Sequence, residues 1–477
     1  MSDSAYGSAN MNIEFKNISF SYPDTTAGTL KDISFLVKKG EFILLAGESG
    51  CGKTTVTRLI NGLIPGFYDG ELIGEVLLDG KKVSEYKSYE LSGLVGSVFQ
   101  NPRTQFFNVD TDSEIAFGLE NAGEDGQTIN DILEKVTRQL NIEKLRNRDI
   151  FKLSGGEKQK IAFASVYATG PEVFLLDEPS ANLDAAGIMG LKECLEIIKE
   201  MGATVIIAEH RLYYLSDLVD RVIYLKNGRI ERQIVGDEFR KMNKETLNGM
   251  NLRSNRYVKA KMTDTGITDN TEITAANQTG LKIKNLSVKY KDRNVFEKVN
   301  MDLTPGKICC VTGHNGAGKS TLLRSICGLI PISEGEIWIN GTKANRKTLK
   351  QKSFMVMQDV NYQLFADSVL NECTLGVKRI DEQKVEGILK EMELWQYKDR
   401  HPNTLSGGQK QRLAIAVSLM MDKEILLFDE PTSGLDYKNM LLCGDFLKKL
   451  AERGKVIIVV THDEEFMNCC CDCNYQL

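Results

Sequence analysis

Apolar residues recur along this chain in two periods, and the order in which the periods alternate is used twice. Residues Ile13–Tyr22 and Leu281–Tyr290 alternate apolar and polar side chains, the mark of strands with one face on a core. Phe42–Ala46, Val173–Leu176, Ile308–Thr312 and Ile425–Phe428 are short, almost wholly apolar runs of strand length. Lys53–Pro65 and Lys319–Pro331 have helical spacing and read as amphipathic helices of about three turns, stopping at glycine and then proline. Helix-rich inserts follow, with their clearest helices around Ile129–Leu140 and Gln383–Leu394. Strands alternating with helices predict an α/β fold: two tandem domains, each with a mainly parallel sheet core.

The repeat also holds in its spacings. Ser154 precedes Asp177 by 23 residues and Ser406 precedes Asp429 by 23; Asp177 to His210 and Asp429 to His462 are both 33. Between the halves the chain turns polar and rich in Thr, Asn and Asp, a composition that cannot bury a core and reads as a linker. A flexible chain of that length reaches roughly 30 Å, enough to let the halves meet at an effective concentration on the order of millimolar. The expected division is a polar tail over 1–10, a first domain over 11–252 with a C-terminal extension, a linker over 253–279 and a second domain over 280–477. The second domain ends early: aligning His462 on His210 puts Leu477 opposite Leu225.

Composition adds limits. With 42% hydrophobic residues, 26% charged and a net charge of −5, the chain is an ordinary globular one, with no electrostatic reason to expect nucleic acid as a partner. No apolar run approaches the roughly 18 residues of a membrane helix, and the N-terminus lacks a signal-type apolar segment, so a cytosolic location is expected. The 11 cysteines show no disulfide framework, and Cys309, Cys310 and Cys327 sit in apolar runs, so reduced thiols are the default. For the cluster from Cys469 to Cys473 a zinc or redox role stays open, although a second ligand pair at usable spacing is missing.

The candidate chemistry lies where the strands end. Gly47-Glu-Ser-Gly-Cys-Gly-Lys53-Thr54 and Gly313-His-Asn-Gly-Ala-Gly-Lys319-Ser320 both fit G-x-x-x-x-G-K-[ST], the phosphate-binding P-loop. Gly47, Gly50, Gly52 and Gly313, Gly316, Gly318 let the backbone curl so that several N–H groups face one anion. Lys53 and Lys319 bring a charge near the β- and γ-phosphates, and Thr54 and Ser320 supply a hydroxyl for Mg²⁺, with Thr55 and Thr321 next in line. Asp177-Glu178 and Asp429-Glu430 close apolar strands with two acids, the first suited to the Mg²⁺ shell and the second to orienting and deprotonating a water. Ser154-Gly155-Gly156 and Ser406-Gly407-Gly408 offer a hydroxyl, a close backbone and a positive helix end, although alone they read as a helix cap with a turn. A nucleoside triphosphate with Mg²⁺ is the expected ligand pair, at two sites; the resemblance below makes the nucleotide ATP.

Taken together these residues resemble the ATP-binding cassette (ABC) family over nearly the whole chain, as two fused nucleotide-binding domains. The resemblance implies P-loop NTPase domains that add an antiparallel β part and a helical subdomain to the sheet core. It implies Walker A motifs at Gly47–Thr54 and Gly313–Ser320, Walker B acids at Asp177 and Asp429, and catalytic glutamates at Glu178 and Glu430. Gln100 and Gln358 take the place of Q-loop glutamines that sense Mg²⁺ and the γ-phosphate. Ser154–Gly156 and Ser406–Gly408 correspond to the signature, Ser180–Asp184 and Thr432–Asp436 to D-loops, and His210 and His462 to switch histidines. Tyr22 and Tyr290 stand where the family stacks an aromatic on adenine; a strand-end aromatic packed in the core is the other reading. The resemblance further implies head-to-tail pairing, each P-loop working with the signature of the other half, and two sites competent in hydrolysis.

A second shared pattern follows each Q-loop glutamine. Gln105 and Gln363 stand five residues on, Phe107 and Phe365 seven, and Gly118 and Gly376 a further eleven. The run Gln100–Phe107, followed by Glu114–Asn121, resembles the ATPases of energy-coupling factor (ECF) importers, whose partners are integral membrane subunits and whose place is the cytoplasmic face of the cell membrane. The second half departs from that pattern with Asp359-Val360. Fused sugar-importer ATPases and soluble tandem ABC proteins of the ribosome are the alternatives; DNA-repair relatives need zinc modules or coiled coils. Cys51, inside the first P-loop beside Lys53 and at a helix N-terminus, stands where a thiolate is favoured, so a reactive thiol is one reading and a tolerated small residue the other; its counterpart is Ala317.

Overall fold

The structure is a computed structural model that describes residues 11–23, 25–262, 279–290, 293–377 and 379–477. The expected polar tail and residues 263–278 of the expected linker lie outside the described residues. The chain divides into two compact units, Met1–Tyr257 and Val258–Leu477.

The strands of the first unit are β1 (Ile13–Tyr22), β2 (Thr25–Val37), β3 (Phe42–Gly47), β4 (Glu71–Leu78), β5 (Lys81–Lys82), β6 (Val95–Val98), β7 (Val173–Asp177), β8 (Thr204–Ala208), β9 (Arg221–Lys226) and β10 (Arg229–Val235). They form an antiparallel sheet in the order β2-β1-β4-β5 and a six-stranded sheet in the order β10-β9-β3-β8-β7-β6, parallel except for the β9–β10 hairpin. The second unit repeats the plan with β11 (Leu281–Tyr290), β12 (Arg293–Leu303), β13 (Ile308–Thr312), β14 (Glu334–Ile339), β15 (Thr342–Lys343), β16 (Ser353–Val356), β17 (Ile425–Asp429), β18 (Val456–Val460) and β19 (Cys473–Gln476). Its sheets run β12-β11-β14-β15 and β16-β17-β18-β13-β19, the latter wholly parallel.

The apolar runs become central strands because both faces are covered: every residue of β3, β8 and β18 is buried. Against β2 and β12, the alternating runs β1 and β11 each shift register three times, first after Phe15 and after Ile283, where Asn17 and Asn285 take φ of 49° and 46°. Those bulges bend each antiparallel sheet at the same place. The helices after the P-loops, Lys53–Ile60 and Lys319–Ile326, have eight residues each, shorter than the expected three turns. Gly62 and Gly328 then take φ of 72° and 67° and end the helical path early.

The helical inserts contain Thr111–Ala122 and Gly126–Gln139 in the first unit and Val369–Thr374 and Glu382–Glu391 in the second. In each unit they pack on the helix that follows the Ser-Gly-Gly motif, Gly155–Ala168 or Gly407–Met420, with Ile161–Ala164 and Leu413–Ala416 buried among them. Helices Gly236–Lys241 and Lys244–Gly249 extend the first unit. The start of the expected linker is packed on that extension: Arg253 and Asn255 are buried, and Asn255 Nδ2 donates to Phe239 O at 2.6 Å. On the second unit, Ala260 N donates to Glu464 Oε2 at 2.6 Å and Lys261 N to Asn468 Oδ1 at 2.8 Å.

Candidate functional site

Each P-loop leaves the C-terminal end of a central parallel strand and enters a helix, where backbone N–H groups and the helix dipole favour an anion. Gly47, Gly50 and Gly52 take φ of 150°, 81° and 109°; Gly313, Gly316 and Gly318 take 147°, 90° and 100°. A Cβ on Gly47 would stand 2.2 Å from Leu225 O, so only glycine fits against β9. Lys53 Nζ donates to Gly47 O and Glu48 O, both at 3.0 Å, and Lys319 Nζ donates to Gly313 O at 2.7 Å and His314 O at 3.0 Å. Each lysine thus curls over its own loop with its ammonium held at the loop's centre.

The acids meet these loops from the adjacent strands. Thr54 Oγ1 donates to Asp177 Oδ1 at 3.2 Å, and in the second unit Ser320 stands at the corresponding place beside Asp429. Burial, and then the charge of Glu178, pushes the Asp177 carboxyl up to about 6; burial also raises that of Asp429. A hydroxyl beside a desolvated carboxylate is an oxygen-donor pair that a hard cation would relieve, so these residues fit Mg²⁺.

Glu178 and Glu430 have left-handed backbones, φ 46° and 47°, a strained state for non-glycine residues that collects at functional sites. Their amides hold it by donating to Ala208 O and Val460 O, both at 2.8 Å. Gln100 Nε2 donates to Glu178 Oε2 at 2.8 Å, and His210 Nε2 lies 3.3 Å from Oε1, close enough for a charge contact but not aligned as a hydrogen bond. In the second unit Thr461 Oγ1 donates to Glu430 Oε2 at 3.1 Å and His462 Nε2 stands 3.7 Å from Oε1. Gln358 is exposed on the loop after β16.

The remaining site residues divide by role. Ser154 and Ser406 cap their helices in capping boxes with Glu157 and Gln409, the hydroxyl oxygens accepting from N–H groups at 3.3 and 3.4 Å. Each hydroxyl keeps its own proton to donate, so the cap is compatible with anion binding. Gly155, Gly156, Gly407 and Gly408 open those helices. Tyr22 is half-buried; its hydroxyl accepts from Arg58 Nη1 at 3.0 Å and lies 3.4 Å from Thr55 Oγ1, which donates to Gly28 O at 2.7 Å. Tyr290 is 72% exposed, which excludes the core reading there. Thr321 follows Ser320 in the second helix, partly buried.

The segment after each Q-loop glutamine is built alike in both units. Gln105 Oε1 accepts from Phe99 N at 3.4 Å and Gln363 Oε1 from Met357 N at 3.0 Å, so the shared amide closes the loop. Glu114, 2% exposed, accepts from the N–H of Phe107 and Asn108 at 3.0 and 2.8 Å; Glu372, also 2% exposed, accepts from Phe365 and Ala366, both at 2.7 Å. These two glutamates escaped the sequence reading, although both stand fourteen residues after the glutamine. Each braces a loop whose phenylalanine faces solvent: Phe107 is 76% exposed and Phe365 74%.

The cysteine expectations change. Cys51 is buried, and desolvation raises its thiol despite the opposing charge of Lys53, which favours the tolerated small residue over a reactive thiolate. All 11 cysteines are free. Among the described residues no group of three or more His, Cys, Asp or Glu side chains could hold a metal ion, which removes the zinc reading of the cluster from Cys469 to Cys473.

A parallel sheet whose central strand ends in a curled glycine loop under a lysine is the P-loop NTPase arrangement, and this chain holds it twice. The family model described as ABC transporter matches residues 30–181 and 296–433. A protein of Treponema denticola with the provisional name ABC transporter ATP-binding protein is 49% identical over 96% of this chain and 94% of its own length. The structure of cbiO1 from Clostridium perfringens, described as part of the ABC transporter complex cbiONQ, is 30% identical over 51% of this chain and 96% of that one, with a TM-score of 0.45. A model of ribosome-bound archaeal Pelota and ABCE1 matches 95% of this chain and 75% of that one at 20% identity and a TM-score of 0.65, a likeness of fold alone. The chain belongs to the ABC transporter family as a tandem ATP-binding protein, and it is an ATPase.

Proposed function

We propose that this chain is the ATP-hydrolysing subunit of an ECF-type membrane importer, docked on integral membrane subunits at the cytoplasmic face of the cell membrane. The observation that carries this reading is the pair of exposed phenylalanines, Phe107 and Phe365, each held out by a buried glutamate directly beyond the glutamine loop. A large apolar ring on a braced loop, present in both units, fits a docking point for an apolar partner surface. No helix among the described residues is long and apolar enough to cross a membrane, so the transmembrane path falls to other subunits.

In this reading Lys53 and Lys319 neutralise the β- and γ-phosphates, and Tyr22 and Tyr290 face the adenine. Thr54, Asp177 and Gln100, or Ser320, Asp429 and Gln358, hold Mg²⁺, whose charge offsets that building on the phosphates. Glu178 and Glu430 accept a proton from the attacking water, with His210 and His462 beside them to steady the γ-phosphate. Ser154–Gly156 and Ser406–Gly408 offer a hydroxyl and a positive helix end to nucleotide phosphate, and ATP hydrolysis drives solute uptake through the membrane subunits.

Two measurements test this. Glu178→Gln and Glu430→Gln, made singly, should each lower ATP turnover; a site whose variant leaves turnover untouched is idle. Detergent-solubilised membranes should yield this chain with hydrophobic subunits identifiable by mass spectrometry, and Phe107→Ala with Phe365→Ala should lose them while the isolated chain still hydrolyses ATP. Sedimentation with ribosomes in a salt-dependent way, without membrane subunits, would sink the importer reading.

A further inference from the structure

Beside His210 lies a buried acid that the mechanism above does not use. Glu209 follows β8 and is 2% exposed. Its Oε1 accepts from His210 N at 2.6 Å and Arg211 N at 3.1 Å; its Oε2 accepts from Ser180 N at 3.2 Å and from the Tyr214 hydroxyl at 2.9 Å. A carboxylate so far from water is costly unless its lone pairs are filled, and here four donors fill them. Burial, and then the Glu209 charge, raises the Tyr214 hydroxyl well above its ordinary 10.0, so that group remains a donor. Arg211 Nη1 adds a bond to Leu183 O at 3.1 Å. Glu209 therefore ties together two backbone stretches: the start of Ser180–Asp184, two residues after Glu178, and the residue pair His210-Arg211.

The second unit is wired differently at the same place. Thr461 stands where Glu209 does, and its hydroxyl donates to Glu430 itself while accepting from Asp463 N at 3.1 Å. The loop there is held by Thr432 Oγ1 donating to Asp463 Oδ2 at 3.0 Å. A carboxylate in place of Thr461 could not make that bond to Glu430, since two acids repel; in the first unit the side chain turns back onto the loop instead.

We propose that Glu209 is a positioning residue of the first site, holding the Ser180–Asp184 loop and the backbone of His210 in register with Glu178. The proposal rests on the hydrolytic roles given above to Glu178 and His210. Positioning of this kind acts on the rate of the chemical step rather than on nucleotide affinity, because none of the four groups bonded to the Glu209 carboxyl belongs to a P-loop or to Tyr22. A displacement of about 1 Å in a reacting group costs on the order of a hundredfold in rate, so a partial loss of register is measurable.

The test is single-turnover hydrolysis of ATP bound to both sites of the full chain, with phosphate release followed in time. Glu209→Gln keeps the shape but turns amide hydrogens towards the donors. It should split the time course: half of the phosphate at the wild-type rate and half slower by about tenfold or more, with ATP affinity unchanged within about twofold. Tyr214→Phe, which keeps the carboxylate and removes one donor of four, should slow the same half by a smaller factor, so a fold defect in the first variant does not decide the matter. A single phase at the wild-type rate, equal slowing of both halves, or a loss confined to affinity would each overturn the proposal. If Glu178→Gln slows no phase, the hydrolytic reading of the first site fails along with it; if Glu178→Gln slows one half and Glu209→Gln neither, only the proposal for Glu209 fails.

Discussion

Asp177 is built at the expense of the unit that contains it, and replacing it by asparagine should make the chain more stable when Mg²⁺ is absent. Its carboxyl rises from 3.8 to about 6 through burial first and Glu178 second. The folded state therefore holds the Asp177 proton more tightly than the unfolded state does. The resulting penalty is absent below 3.8, grows through the window from 3.8 to about 6, and is complete above it, so this group's share of stability is lost as pH rises. A difference of that size is worth up to about 3 kcal/mol once the carboxyl is ionised. Asp177→Asn removes the charge and keeps an oxygen for the Thr54 hydroxyl.

At pH 7.5 in chelator, the variant's first unit should melt higher by several degrees and at most about 12 °C, given about 2–4 °C per kcal/mol for a unit of this length. Scanning calorimetry of the full chain reads this directly. At pH 5 the advantage should shrink to about half, because the wild-type carboxyl is then largely protonated when folded. With Mg²⁺ and ATP the order should reverse, since binding stabilises only the wild type. A variant less stable than the wild type in chelator at pH 7.5, or an advantage that does not shrink towards pH 5, would refute the reasoning.

Two further outcomes are expected. Iodoacetamide should leave native Cys51 unlabelled and ATP turnover intact, with labelling seen by mass spectrometry only after unfolding in urea, because burial keeps that thiol protonated and covered. Glu114→Ala and Glu372→Ala should each destabilise their own unit by about 1–3 kcal/mol in urea titrations, the cost of depriving two loop N–H groups of a buried acceptor.

The internal repeat decided how much of this could be read from the sequence. Where both halves carry the same residue at the same spacing, periodicity was enough: β1 and β11 begin and end where alternation does, Thr54 meets Asp177, and His210 stands beside Glu178. The same comparison could have found Glu114 and Glu372, but a glutamate inside a helix reads as solvent-facing until the loop that folds over it is seen. The helix after the first P-loop is shorter than its apolar spacing implies, because the left-handed turn at Gly62 ends the path while apolar residues continue to Ile64.

Where the halves differ, burial decides, and burial is not written in spacing. Cys51 beside Lys53 has the sequence of an activated thiol, yet desolvation outweighs the lysine. Glu209 against Thr461 looks like a neutral exchange next to a shared histidine. In the fold the threonine reaches the neighbouring glutamate, whereas the glutamate must turn away from it and find four donors elsewhere. One substitution thus redirects a hydrogen-bond network while leaving both strands in place, so two units of one fold can hold the same glutamate–histidine pair by different means.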